Sequence, residues 1–182
     1  MRSESRASLA GIALALRALT RLLGRTVQAG EIVFAQGEKP RLAPPAALDA
    51  RAVAGAPLRR ERAARCAEDT AVDFSISHAG PWVACAALAH GHVGLDLEMG
   101  TEQRIAEWVV LEAALKASGE GVRALREVES LQVRDGRLSR RGGVWHVRSL
   151  EGFEGASACV VSSVEIRAVE THAVVLAELF DT

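Results

Sequence analysis

The chain has 182 residues, of which 49 % are hydrophobic and 25 % charged, and its formal net charge is −1. Such a composition suits one globular domain and excludes an intrinsically disordered chain. Three widely spaced cysteines, Cys66, Cys85 and Cys159, argue against a disulfide framework or a zinc knuckle and point to a reducing, cytoplasmic setting.

Residues 5–23 carry Leu9, Ile12, Leu16, Leu19 and Leu23 at helical spacing, with Arg17, Arg21 and Arg25 on another face and Gly24 as a stop, which predicts an amphipathic helix. The apolar stretch inside it, Leu9 to Leu16, falls well short of the roughly 20 residues that span a bilayer. Its pattern runs on past Arg17 without a cleavage site, so it reads as a retained helix and not a signal peptide. A short strand is expected at Glu31–Phe34, then a loop over Gln36–Pro40. Residues 41–72 are rich in Arg, Ala and Pro and read as an irregular insertion in a single domain spanning 1–182, with a helical piece near Arg59–Cys66. Strands are expected at Phe74–Ser77, Trp82–Leu88 and Val93–Leu97, separated by turns at His78–Pro81 and Gly91. A second helix starts at Gly100 or Thr101, runs through Lys116 and stops at the Ser118–Gly121 breaker. A β-meander follows: Leu131–Val133, a turn at Asp135-Gly136, Val144–Ser149, Ala156–Ser162 and Ala173–Leu179. The expected class is α+β, with antiparallel sheets and two main helices.

The charge is unevenly spread. Residues 1–65 carry 12 basic and 5 acidic side chains, and residues 66–182 carry 10 and 18. A basic first third favours an anionic partner. Nucleic acid is the weakest choice, because no recognition motif or aromatic stacking set accompanies the arginines and tyrosine is absent. Only two lysines, Lys39 and Lys116, stand among the basic residues, and a compact ammonium does different work from a guanidinium.

Three groups of residues carry possible chemistry. Asp96 and Glu98 lie two apart in a strand, so both carboxylates face one side, either as a solvated face or as oxygen ligands for a hard divalent cation. Glu112 and Lys116 lie four apart on a helix and share a face, the spacing of an ordinary surface ion pair as well as of a site. His78 follows Ser77 at the end of a strand, where a ring N–H either meets a phosphate or faces solvent.

In this order, Phe74-Ser75-Ile76-Ser77-His78-Ala79-Gly80, Val93-Gly94-Leu95-Asp96-Leu97-Glu98 and the helix from Trp108 through Glu112 and Lys116 to Gly119 resemble the 4′-phosphopantetheinyl transferase superfamily. The likeness is to its larger, surfactin-synthetase type, with the motifs F-N-I-S-H-S-G, V-G-I-D-I-E and W-x-x-K-E-A-x-x-K-x-x-G. Gly37-Glu38-Lys39-Pro40 looks like the family's G-K-P loop with one residue inserted. The resemblance covers roughly Arg6 to Ser163 and implies a fold of two small lobes, or a truncated version of them. It implies transfer of the phosphopantetheine arm of coenzyme A to a serine of an acyl or peptidyl carrier protein, dependent on Mg2+ and releasing 3′,5′-ADP. It further implies metal ligation by Asp96, Glu98 and Glu112, proton acceptance by Glu112, stabilisation of the pyrophosphate by Lys116, and contacts to coenzyme A from Arg6, Lys39, Pro40, Ser77, His78 and Lys116.

The chain departs from the pattern in several places. Leu111 stands where the family has lysine, and nine residues separate Glu98 from Trp108 where the family has a few tens. Ser75 and Ala79 replace the family's Asn and Ser, and its first strand has no counterpart before the first helix. These departures leave as an alternative a catalytically impaired relative that binds coenzyme A or a carrier protein as a scaffold. They also lead to the expectation that a second copy or a partner covers the edge such a strand would close.

Overall fold

The computed structural model describes residues 2–34, 39–43, 72–120, 132–140, 142–175 and 179. Helix α1 (Arg2–Leu23) buries Ala10, Ala15 and Leu19 and leaves Arg17 and Arg21 in solvent. Gly24, at φ 64°, ends it in the left-handed conformation that glycine adopts without a Cβ penalty. Two-residue strands β1 (Ile32–Val33) and β2 (Arg41–Leu42) pair antiparallel. Strands β3 (Asp73–Ala79) and β4 (Trp82–Leu88) form a hairpin closed at Gly80-Pro81. Its apolar face meets α1 in a first core of Ala15, Leu19, Val27, Ile32 and Phe74, joined by Ile76, Cys85 and Ala87.

The second half builds around β5 (Val93–Met99) and α2 (Gln103–Ser118). Strands β6 (Val133–Arg134), β7 (Arg137–Arg140), β8 (Gly143–Leu150) and β9 (Ala156–Ser162) complete an antiparallel sheet of order β5-β9-β8-β7-β6. Helix α2 covers one face of it. Its small residues Ala113, Ala114 and Ala117, with Val109, pack on Leu138, Cys159 and Val161 to make the second core. The observed class is therefore α+β, with two main helices and antiparallel sheets.

The two halves meet where β3 runs beside β5, and there the backbones do not pair. Alternate polar side chains of β3 take the place of a ladder. The Val93 N–H donates to Asp73 Oδ2 at 2.7 Å, the Leu95 N–H donates to Ser75 Oγ at 3.0 Å, and Ser77 Oγ donates to Asp96 Oδ1 at 2.9 Å. A period-two row of Asp and Ser so satisfies an otherwise open strand edge.

Several expected boundaries move. Strand β3 runs on through Ala79, which places His78 inside the strand and moves the turn to Gly80-Pro81. Arg41 and Leu42 belong to β2 and not to an irregular insertion; the helical piece near Arg59–Cys66 lies outside the described residues. Strand β7 was not foreseen. Asp135 and Gly136, at φ 50° and 68°, form the primed two-residue turn that folds it back on β6. Ala173–Val175, expected to begin a strand, have no strand conformation. Up to Val175 this stretch is largely exposed, and Glu170 pairs with Arg21 of α1 at 3.1 Å; residues 176–178 of the expected strand lie outside the described residues. No described helix is long and apolar enough to cross a membrane.

Helix α2 rests on β5 at Gly94. A Cβ there would lie 1.9 Å from the Ala113 carbonyl oxygen and 2.5 Å from the Ala117 nitrogen. Both obstacles are backbone, so relief requires the helix to move off the strand. Gly94→Ala is expected to destabilise the fold by at least ~2 kcal/mol, measured by urea denaturation; a stability within ~0.5 kcal/mol of wild type would show that the helix yields freely.

Candidate metal centre

Gly94, Asp96 and Glu98 alternate along β5 and share the face that Gly94 opens to α2. On α2, Glu112 precedes Lys116 by one helical turn, and the same approach brings both toward Asp96. One carboxylate oxygen from each of Asp96, Glu98 and Glu112 lies within 4.8 Å of the other two. The two elements join residues that are separated along the chain into a single acidic cluster.

Asp96 is its buried centre, 1 % exposed. Its Oδ1 accepts from Ser77 Oγ at 2.9 Å and from Lys116 Nζ at 2.5 Å, and Lys116 also donates to Ser77 Oγ at 3.2 Å. Its Oδ2 is buried with no hydrogen-bond partner. A buried carboxylate oxygen without a donor is costly; a proton held by Glu112, whose side chain hydrogen-bonds Asp96, or a cation among the three carboxylates would relieve it. The donors are all carboxylate oxygens, the set a hard divalent ion such as Mg2+ takes while keeping several waters.

Electrostatics point the same way. The Glu112 carboxyl is held above the usual carboxylate range, first by burial and then by the neighbouring Asp96 charge, with Lys116 opposing the rise. In the metal-free protein the ionised cluster therefore costs stability above the ordinary titration range of a glutamate, and a bound cation offsets it.

The remaining predicted site residues fall elsewhere. Lys39 Nζ donates to Asp73 Oδ2 and to the Val93 carbonyl, each at 2.5 Å. Val93 precedes Asp96 by three residues, so Lys39 is held about 10 Å along the strand from the acidic cluster. Burial lowers its ammonium pKa and Asp73 opposes the fall. Pro40, beside it, is half-buried, and Arg6 is exposed on α1. His78 is exposed on the strand position next to Ser77, on the opposite side of the pleat. Trp108, 40 % exposed, lies one turn before Glu112, and Leu111 is half-buried. Cys85 and Cys159 are free thiols pushed up to about 12 by burial, and so are inert.

Sequence reasoning missed two partnerships. Ser77 bonds Asp96 and Lys116, and Asp73 with Ser75 closes the edge of β5. The signal was present as polar residues at every second position of β3, but alternation names a face without naming what lies opposite it. No family model matches the chain, and no curated protein does.

Two measurements check this geometry. Titration with Mg2+ is expected to raise the melting temperature of the wild type and leave Asp96→Asn unmoved; equal shifts in both would remove Asp96 from the centre. Lys39→Met is expected to cost about 2–3 kcal/mol, because it strips one partner from a buried ion pair whose aspartate keeps its N–H donors, while Mg2+ affinity stays unchanged. A variant of wild-type stability would contradict that structural role.

Proposed function

We propose that this chain is a compact phosphopantetheinyl transferase of the surfactin-synthetase type, with a fold of the kind that family has. The reading rests on the three motifs in family order, and one observation carries it: the carboxylates those motifs nominate, Asp96, Glu98 and Glu112, converge within 4.8 Å beside Lys116. Such a transferase uses coenzyme A as co-substrate and a carrier protein as acceptor, and free buried thiols suit a cytoplasmic setting.

The chemistry asked of this centre is in-line phosphoryl transfer, in which positioning and charge neutralisation dominate. The carrier serine oxygen forms a bond to the pantetheine-bearing phosphorus as the bond from that phosphorus to the 3′,5′-ADP oxygen breaks. Asp96, Glu98 and Glu112 would hold Mg2+, which neutralises pyrophosphate charge when bound. Glu112, whose burial raises its proton affinity, accepts the serine proton directly or through water. Lys116, with 30 % of its side chain exposed, faces the charge that develops on the departing ADP oxygen. Basic residues of the first third meet the nucleotide phosphates, Arg6 being exposed for that contact.

A second reading follows from Leu111 on α2, which supplies no charge where the family has lysine, and from the short link between Glu98 and Trp108. On that reading the chain binds coenzyme A or a carrier protein as a scaffold, without transfer. Incubation of several apo carrier proteins with the chain, coenzyme A and Mg2+ separates the two by mass spectrometry. The transferase adds one phosphopantetheine mass to a carrier serine, and Glu112→Gln abolishes the gain; coenzyme A binding with no mass gain on any carrier gives the scaffold.

A further inference from the structure

Lys116 stands directly on Asp96, the buried ligand of the cluster. Its ammonium takes Oδ1 at 2.5 Å, and Ser77 fixes the pair by donating to the same oxygen at 2.9 Å and accepting from the ammonium at 3.2 Å. Oδ1 is thereby filled, and Asp96 has only Oδ2 to offer an ion. We propose that Lys116 is the charge-setting residue of the centre: a built-in counter-cation that makes Asp96 a one-oxygen ligand and matches the cluster to an ion of charge two. The inference rests on the metal-binding reading above and concerns the ion, not the transfer reaction.

The charges support it. With all three carboxylates deprotonated, as ligands of a bound cation are, Asp96, Glu98 and Glu112 with the Lys116 ammonium carry net −2, which one divalent ion balances. Without the ammonium the same ligands carry −3, the complement of a trivalent ion. An ammonium held on a ligand of the centre repels any ion that enters, and the repulsion grows with the charge of that ion. Asp96 is 1 % exposed, so water screens this repulsion poorly; the partial exposure of Lys116 moderates it without removing it. Lys116 therefore lowers absolute affinity and, in exchange, disfavours highly charged ions. A lysine that served only to hold Asp96 in place would have the opposite effect on affinity, because its loss would free the carboxylate to rotate. The sign of the change separates the two roles.

The test is calorimetric titration of the folded protein with Mg2+ and, separately, with Tb3+, in wild type, Lys116→Met and Lys116→Arg. Lys116→Met is expected to bind Mg2+ about tenfold more tightly and Tb3+ about thirtyfold more tightly, since the removed repulsion scales with ion charge. Lys116→Arg, which keeps the charge, is expected to stay within about threefold of wild type for both ions. Circular dichroism and melting confirm that each variant is folded, and Lys116→Gln takes the place of Lys116→Met if the latter is not. Unchanged or weaker Mg2+ binding in the folded neutral variant, or equal gains for the two ions, overturns the proposal while leaving the centre intact. Should wild type and Asp96→Asn bind Mg2+ alike, the centre itself fails, and the inference with it.

Discussion

One carboxylate, that of Asp96, organises the structure around it. It is buried to 1 % exposure, with one oxygen bonded to Ser77 and Lys116 and the other left without a partner. Each neighbouring element is arranged to make this tolerable. The alternating Asp73, Ser75 and Ser77 of β3 line the open edge of β5, so the strand that carries Asp96 stays in place without a backbone neighbour on that side. Gly94 admits α2 to backbone contact, which brings Glu112 and Lys116 within reach. The two cores, one under α1 and one under α2, are joined across this polar seam.

Such a cluster works against stability. Three carboxylates within 4.8 Å repel one another, and the raised proton affinity of Glu112 is the sign of that repulsion together with burial. A fold selected only for stability would place apolar residues of similar volume here, which is often neutral or stabilising relative to buried charge. Retaining the acids, with a single lysine to neutralise them in part, is the pattern of a site kept for a ligand and supported by its surroundings. The surroundings give the cluster defined partners: the small residues Ala113 and Ala117 of α2 close against Gly94, and the buried hydroxyls of Ser75 and Ser77 bond Leu95 and Asp96.

Much of this was legible in the sequence, and the remainder was not for a definable reason. Alternation along Val93–Glu98 placed both acids on one side of a strand, and the four-residue spacing placed Glu112 and Lys116 on one helix face. These periods are local properties of the backbone, and the structure reproduces them. Local periodicity alone does not say that the strand face and the helix face are one site; the family resemblance nominated Asp96, Glu98 and Glu112 together, and the close approach at Gly94, visible only once α2 lies against it, is what brings them within 4.8 Å. The same limit explains Lys39. Scarcity marked it as worth asking about, but its partner Asp73 comes 34 residues later, and no local pattern pairs them. Strand β7 was hidden because its four residues, Arg-Leu-Ser-Arg, carry too little apolar signal; pairing with β8 makes it a strand. Val174 and Val175 mislead in the other direction, since composition favours a strand where the described chain forms none.

Everything in the site depends on a cation being held jointly by side chains from β5 and α2. A crystal of the protein soaked in Mn2+ and measured at the manganese absorption edge addresses this directly. One anomalous peak is expected about 2.0–2.6 Å from an oxygen of each of Asp96, Glu98 and Glu112, with Lys116 still on the other oxygen of Asp96. A well-ordered crystal with no peak there, or with Glu112 turned away from the β5 pair, would contradict it.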